Sequence, residues 1–180
     1  MLKKVSLFAV VKALREGEAS LSGIARRAGI SPSTAHAYLT GMSGKGLLTK
    51  REVGRSHLYR LNIENALARS LKVALSLDEI NESGIVEEIR KRNPFVVSII
   101  LYGSAARGDD DEKSDLDIIL ISRKTQGLGG LKSIKLLGRE ASILNYSQSE
   151  WRRKAKEDKI FYDRVIIDGI PLYGEKPTVL

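Results

Sequence analysis

The amino-acid sequence predicts an α+β chain of two domains: a small basic domain built mainly of helices, then one with a mixed β-sheet flanked by helices. Three observations predict it. Residues 1–62 hold 11 Lys and Arg against three Glu (Glu16, Glu18, Glu52), whereas residues 63–180 hold 19 of each sign, so the whole excess of +8 lies in the first third. That first third shows helical periodicity followed by a hairpin pattern. From Phe95 onward, two β-rich runs flank a short Gly- and Asp-rich bend. A length of 180 residues with 42% apolar composition supports two small cores. The absence of cysteine excludes a disulfide scaffold, a thiolate metal site and a cysteine nucleophile. The longest apolar run, Phe95 to Tyr102, has strand length and falls far short of the roughly 20 residues of a membrane span. The start lacks an apolar export signal, so a cytoplasmic protein without membrane contact is expected.

In the first domain, Leu2, Val5, Phe8, Val11 and Leu14 recur at helical spacing up to about Arg15. A short second helix follows through Leu21, Ile24, Ala25 and Ala28, with Gly29 placed to close it in the left-handed conformation. Ser31-Pro32 reads as an N-cap with proline at the first helical position, and Ala35, Leu39 and Met42 form the apolar stripe of the third helix. Gly46 to Arg51 and His57 to Leu61 read as strands around a Gly54-Arg55-Ser56 turn.

Two helices across a tight Gly turn, then a basic hairpin, make a winged helix-turn-helix. Through Ser31-Pro32-Ser33-Thr34, Leu39, Gly46-Leu47-Leu48, Gly54-Arg55 and Tyr59-Arg60-Leu61, this third of the chain resembles the DNA-binding domains of ArsR- and MarR-type regulators. In that arrangement Ser33, Thr34 and His36 offer hydrogen bonds to base edges in the major groove. Arg51, Arg55 and Arg60 then meet phosphates or an adjacent minor groove. Ser31 is the capping residue. The expected partner is double-stranded DNA, and paired half-sites favour a homodimer.

Residues 63–92 read as a connector of two helices broken near Ser83-Gly84, carrying Leu67, Leu71 and Leu75 and then Ile80, Ile85 and Ile89. Its first helix has two open roles: dimerisation, or packing on its own winged helix.

The third stretch, 93–180, carries the chemistry. The run Phe95 to Tyr102 ends in Gly103-Ser104-Ala105-Ala106-Arg107-Gly108, and a second run contains Ser114-Asp115-Leu116-Asp117. Alternate strand residues share a face, so Asp115 and Asp117 point one way and Leu116, Ile118 and Leu120 into the core. Two neighbouring carboxylates call for a cation, and Mg²⁺ favours one or two carboxylates plus substrate phosphates. Glycine lets a phosphate approach the backbone, and Ser104 adds a hydroxyl donor. The intervening Asp109-Asp110-Asp111-Glu112 reads as a solvated loop. The Gly-rich stretch Lys124 to Gly130 reads as a flexible connection. Ser149 to Lys156 reads as a capped basic helix in which Trp151 packs.

Gly103-Ser104, ten residues, then Asp115-Leu116-Asp117-Ile118 is similar to the signature of the DNA polymerase β-like nucleotidyltransferase superfamily, and most like its minimal prokaryotic members, over about residues 93–174. The resemblance implies that Gly103, Ser104 and Arg107 serve the phosphates of ATP or another nucleoside triphosphate. It implies that Asp115 and Asp117 hold Mg²⁺, two ions in an active enzyme. An acceptor hydroxyl on a protein or nucleic acid would attack the α-phosphorus and displace pyrophosphate. Active members carry a third acidic residue on a later strand; here that position falls on Ser142, with Glu140 two residues earlier as the available substitute. The expectation is therefore a DNA-binding regulator that binds Mg-NTP and transfers a nucleotidyl group. The alternative is a non-catalytic regulator whose second domain senses nucleotide or mediates interactions, and an RNA-directed transferase ranks third.

Overall fold

The structure, a computed structural model, describes residues 2–111, 113–124, 133–136 and 139–179, with backbone alone for 2–6 and 133–136. The chain divides into two compact units, one of Met1–Leu75 with Gly108–Glu112, the other of Ser76–Arg107 with Lys113–Leu180. The stretch 63–92 is thus shared between them, its first helix split after Leu75.

In the first unit, α1 (Leu2–Arg15), α2 (Leu21–Ala28) and α3 (Pro32–Gly44) precede the hairpin of β2 (Leu48–Val53) and β3 (Ser56–Leu61). A two-residue strand, β1 (Ala19–Ser20), joins the hairpin in the order β1-β3-β2, antiparallel throughout. Local chemistry sets these limits. Ser20 caps α2 by accepting from the Gly23 amide, and Gly29 ends it at φ 63°. Ser31 accepts from the Thr34 amide and Pro32 opens α3. The Gly54-Arg55 turn joins Val53 to Ser56, with Gly54 at φ 57° as tight hairpin turns require. Val10, Val11, Leu14, Ile24, Leu39, Met42, Leu48 and Leu61 form the core, joined by Ala68, Leu71 and Leu75 from the beginning of α4 (Ala66–Ser83). The start of α4 therefore packs on its own winged helix.

Residues 108–111 correct the expectation of a solvated loop. Asp109 and Asp111 are exposed, but the Asp110 side chain is fully buried between two buried cations. Lys72 Nζ lies 3.4 Å from Oδ1, Arg15 lies 4.0 Å from Oδ2, and Lys72 also donates to the Asp110 carbonyl. Gly108, at φ 75°, lies so close to the Arg69 carbonyl that a Cβ would come within 2.4 Å of it. A carboxylate loses its solvent only where such partners replace it, and both partners are remote in sequence.

The second unit is a five-stranded sheet in the order β6-β7-β5-β4-β8. Its strands are β4 (Val96–Tyr102), β5 (Leu116–Ser122), β6 (Ser133–Leu136), β7 (Arg139–Ser147) and β8 (Ile170–Gly174). Only β5 and β7 run parallel; the other pairs are antiparallel. One face packs Ile99, Leu101, Leu116, Ile118 and Ile143 against the end of α4 and α5 (Ile85–Arg92), which Gly84 separates at φ 66°. The other packs Ile100, Ile119 and Ile121 against α7 (Gln148–Glu157) and α8 (Lys159–Asp168), with Trp151 and Val165 at its centre. Both faces of β5 are therefore covered, which is why the strand reads as an unbroken apolar run. α7 is capped by Ser147 rather than Ser149: Ser147 and Glu150 exchange the two hydrogen bonds of a capping box. Trp151 is buried and donates its indole N–H to the Pro177 carbonyl at 2.9 Å. Most of the Gly-rich stretch, residues 125–130, lies outside the described residues, as does Glu112.

Candidate functional site

The nucleotide side of the second unit is built at the junction of β4, α6 (Gly103–Arg107) and β5. In the antiparallel β4–β5 pair, Tyr102 faces Asp117, so Gly103 and Ser104 follow directly beside that carboxylate. Gly103 adopts φ 75°, and a Cβ there would come 2.4 Å from Asp117 Oδ2. Only glycine fulfils both conditions. Asp115 stands one residue before β5, not within it. It is exposed and Asp117 half-buried, and the two are close enough to repel.

Burial pushes the Asp117 carboxyl above its ordinary range and the Asp115 charge adds to the shift, while Arg139 and Arg107 pull it back. Burial also pushes the Tyr102 phenol up to about 12, with the Asp117 charge and Tyr146 contributing. Tyr102 sets its ring edge-on to Phe161 at 5.7 Å. These are hard oxygen donors of like charge, and a hard divalent cation fits them. Asp115 and Asp117 would hold such an ion, and its charge would offset theirs and favour a phosphate nearby. Ser104 is partly exposed and Arg107 exposed.

Arg139 was not singled out from the sequence. It is buried at the start of β7, donating from Nε to the Ser114 carbonyl at 2.9 Å and from a terminal nitrogen to the Asp115 carbonyl at 3.4 Å. It thereby fixes the backbone that presents Asp115. The one available signal was a basic residue opening a strand, and that is common on surfaces.

The parallel β5–β7 register sets Ser142 directly alongside Asp117. Glu140 lies two residues earlier on the same strand face and is exposed. Among the described residues, no three His, Asp or Glu side chains gather at one point, so Asp115 and Asp117 stand as a pair.

The nucleic-acid side belongs to the first unit. α3 contains no charged residue and exposes Ser33, His36 and Thr40. Thr34 is half-buried, its hydroxyl 2.8 Å from Ser31 Oγ, and Ser33 Oγ lies 2.9 Å from the same atom. The cap therefore engages both hydroxyls that the sequence assigned to base edges, and His36 is left clear of it. Positive charge sits on the hairpin, where Arg55 and Arg60 are exposed. Arg51, also exposed, is held by Glu18 at 2.7 Å. That hydrogen bond keeps the Glu18 carboxyl below its usual range.

Residues 82–167 match the family model of the nucleotidyltransferase domain, and residues 7–52 match that of the IclR helix-turn-helix domain. The chain thus carries an N-terminal helix-turn-helix followed by a nucleotidyltransferase domain. The helix-turn-helix match is to the IclR type and does not single out ArsR or MarR regulators; the cap, turn and hairpin residues that carried that resemblance are common to winged helices. No curated protein matches the chain. Among solved structures, it is similar to the hypothetical protein PyrSV_gp04 from Pyrobaculum spherical virus, at 18% identity over 54% of this chain. It spans 60% of that protein's length, with a TM-score of 0.31, which sets no fold relationship. Among the described residues no helix is long and apolar enough to cross a membrane.

Proposed function

We propose that this protein is a cytoplasmic DNA-binding regulator whose nucleotidyltransferase domain takes up a divalent cation with a nucleoside triphosphate, and that this ligand biases DNA binding. The observation that carries it is the approach of Gly103 to Asp117: a side chain is excluded where cation ligand and phosphate turn meet. In this reading Asp115 and Asp117 hold Mg²⁺. Gly103, Ser104 and Arg107 receive the phosphates of ATP or another triphosphate. On the first unit, neutral α3 reads bases chiefly through His36, with the Ser33 and Thr34 hydroxyls shared between the cap and the base edges, while Arg51, Arg55 and Arg60 bind phosphates, the usual division between specifying and positioning contacts.

A ligand shifts DNA binding only if it binds the DNA-competent and incompetent states differently. The test uses the full chain and a duplex selected from a random pool, followed by fluorescence anisotropy across a salt series with and without Mg-ATP. The expected result is a steep salt dependence and a Kd shifted at least about fivefold by nucleotide, a typical coupling. Binding indifferent to salt sinks the DNA reading; a Kd indifferent to all four triphosphates sinks the sensing.

Nucleotidyl transfer is the second reading, favoured by the complete donor half of the site. An acceptor hydroxyl would form a new oxygen–phosphorus bond at the α-phosphorus, pyrophosphate would leave, and the hydroxyl proton would pass to a base. Ser142 supplies no carboxylate for that proton. Transfer of α-labelled ATP above that of a D115A/D117A variant would establish this reading in place of the first.

A further inference from the structure

The number of cations at this site follows from its charges, and the inference rests on the nucleotide-binding reading above. We propose that the site holds one divalent cation with the triphosphate, not the pair that drives in-line phosphoryl chemistry. Two ions about 3.5–4 Å apart need a carboxylate between them and further oxygen ligands on the outer side of each. Asp115 and Asp117 supply two carboxylates. The third would have to come from the strand beside β5, where neighbouring backbones stand about 4.8 Å apart. There the residue level with Asp117 is Ser142, whose neutral hydroxyl cannot balance a second dication. Glu140 is about 6–7 Å away along the strand, and it gathers with no other pair of acids among the described residues.

The positive side of the ledger points the same way. Arg139 is buried and bonded to the Ser114 and Asp115 carbonyls, and together with Arg107 it already offsets the Asp117 charge. One dication satisfies the two carboxylates in the presence of these guanidinium groups. A second would leave the protein side strongly positive, with only the triphosphate to offset it. In chemical terms the site is built to bind a cation–triphosphate complex and poorly equipped to activate an attacking hydroxyl.

The test counts ions directly. The full chain is saturated with a non-hydrolysable ATP analogue, Mn²⁺ is titrated in, and free Mn²⁺ is read by electron paramagnetic resonance, with analogue binding followed in parallel by calorimetry. The expected result is one Mn²⁺ per chain and no spin-coupled signal. Ser142→Asp should raise the count to two and bring in the coupled signal, whereas Ser142→Asn, similar in size and uncharged, should stay at one. Two ions or a coupled signal in the unmodified chain overturns the proposal while leaving the nucleotide-binding reading intact. Absence of analogue binding overturns both. Circular dichroism of each variant separates an altered site from a lost fold, and the count on the unmodified chain decides the matter alone if Ser142→Asp fails to fold.

Discussion

Replacing Gly103 with alanine tests the geometry on which the nucleotide site depends. Two costs arise. A residue with a Cβ held at φ 75° loses about 1–2 kcal/mol relative to glycine. The new Cβ, 2.4 Å from Asp117 Oδ2, also forces that carboxylate to turn away or the β4–α6 junction to shift. Together they predict a loss of about 2–3 kcal/mol, since strain and a displaced half-buried charge each lie within the usual range for such changes. Trp151 is the sole tryptophan and is buried in the second unit, so its fluorescence reports unfolding of that unit. With a urea m-value of about 2 kcal/mol/M, the midpoint should fall by about 1 M. Affinity for Mg-ATP by calorimetry should fall at least about tenfold, equivalent to about 1.4 kcal/mol. In an Asp117→Ala background the collision disappears, and Gly103→Ala should cost only its backbone part, a coupling that a double-mutant cycle isolates. An unmoved midpoint together with unchanged affinity would refute the close approach and the site built on it.

Asp110→Ala should destabilise the first unit by about 3 kcal/mol, because it removes the carboxylate that balances the buried Lys72 and Arg15 charges; a solvated loop would change by no more than about 0.5, and urea unfolding followed by far-ultraviolet circular dichroism separates the two. Arg55→Ala and Arg60→Ala should each lower the slope of log K against log salt by about 1, while Arg51→Ala should do less because Glu18 already holds that guanidinium. The Glu18 carboxyl should titrate below the ordinary glutamate range by nuclear magnetic resonance and return to it in Arg51→Ala. Since its folded-state pKa is depressed, the contact contributes stability above the unfolded value and loses it as pH falls through the folded one.

Much of the first unit was legible because its punctuation is local. Ser31-Pro32, Gly29 and Gly54-Arg55 each act within three or four residues, and the structure places caps and turn where those residues stand. The break of the connector at Gly84 was visible for the same reason. β1 was not: two residues carry no periodicity, and the strand exists only because β3 offers an edge to pair with. Asp110 was misread because a run of acids looks the same whether or not buried cations await one member. Those cations, Arg15 and Lys72, lie 95 and 38 positions earlier in the chain. The cap of α7 was displaced by two residues because two serines near its start, Ser147 and Ser149, offer competing hydroxyls.

The candidate site divides along the same line. Gly103-Ser104 and Asp115-x-Asp117 are short patterns joined across one antiparallel pair, and the sequence shows both halves. Whether they support chemistry is decided by a parallel pairing, which needs a long crossover and leaves no local trace of register. Sequence comparison assigned the missing acid to Ser142 by likeness; the β5–β7 register places that residue level with Asp117. A slip of one residue would send Ser142 to the opposite face and present Ala141 or Ile143 instead. A slip of two would keep the face and bring Glu140 level with Asp117. The register is held by the cores above and below it, with Ile118 and Ile143 packed on one side and Ile119 on the other. A two-residue slip would preserve that alternation but would pull Arg139 away from the Ser114 and Asp115 carbonyls it braces. The buried arginine that was not singled out in the sequence therefore braces the register that sets Ser142, not Glu140, level with Asp117, and in the one-cation proposal strand register matters as much as residue type.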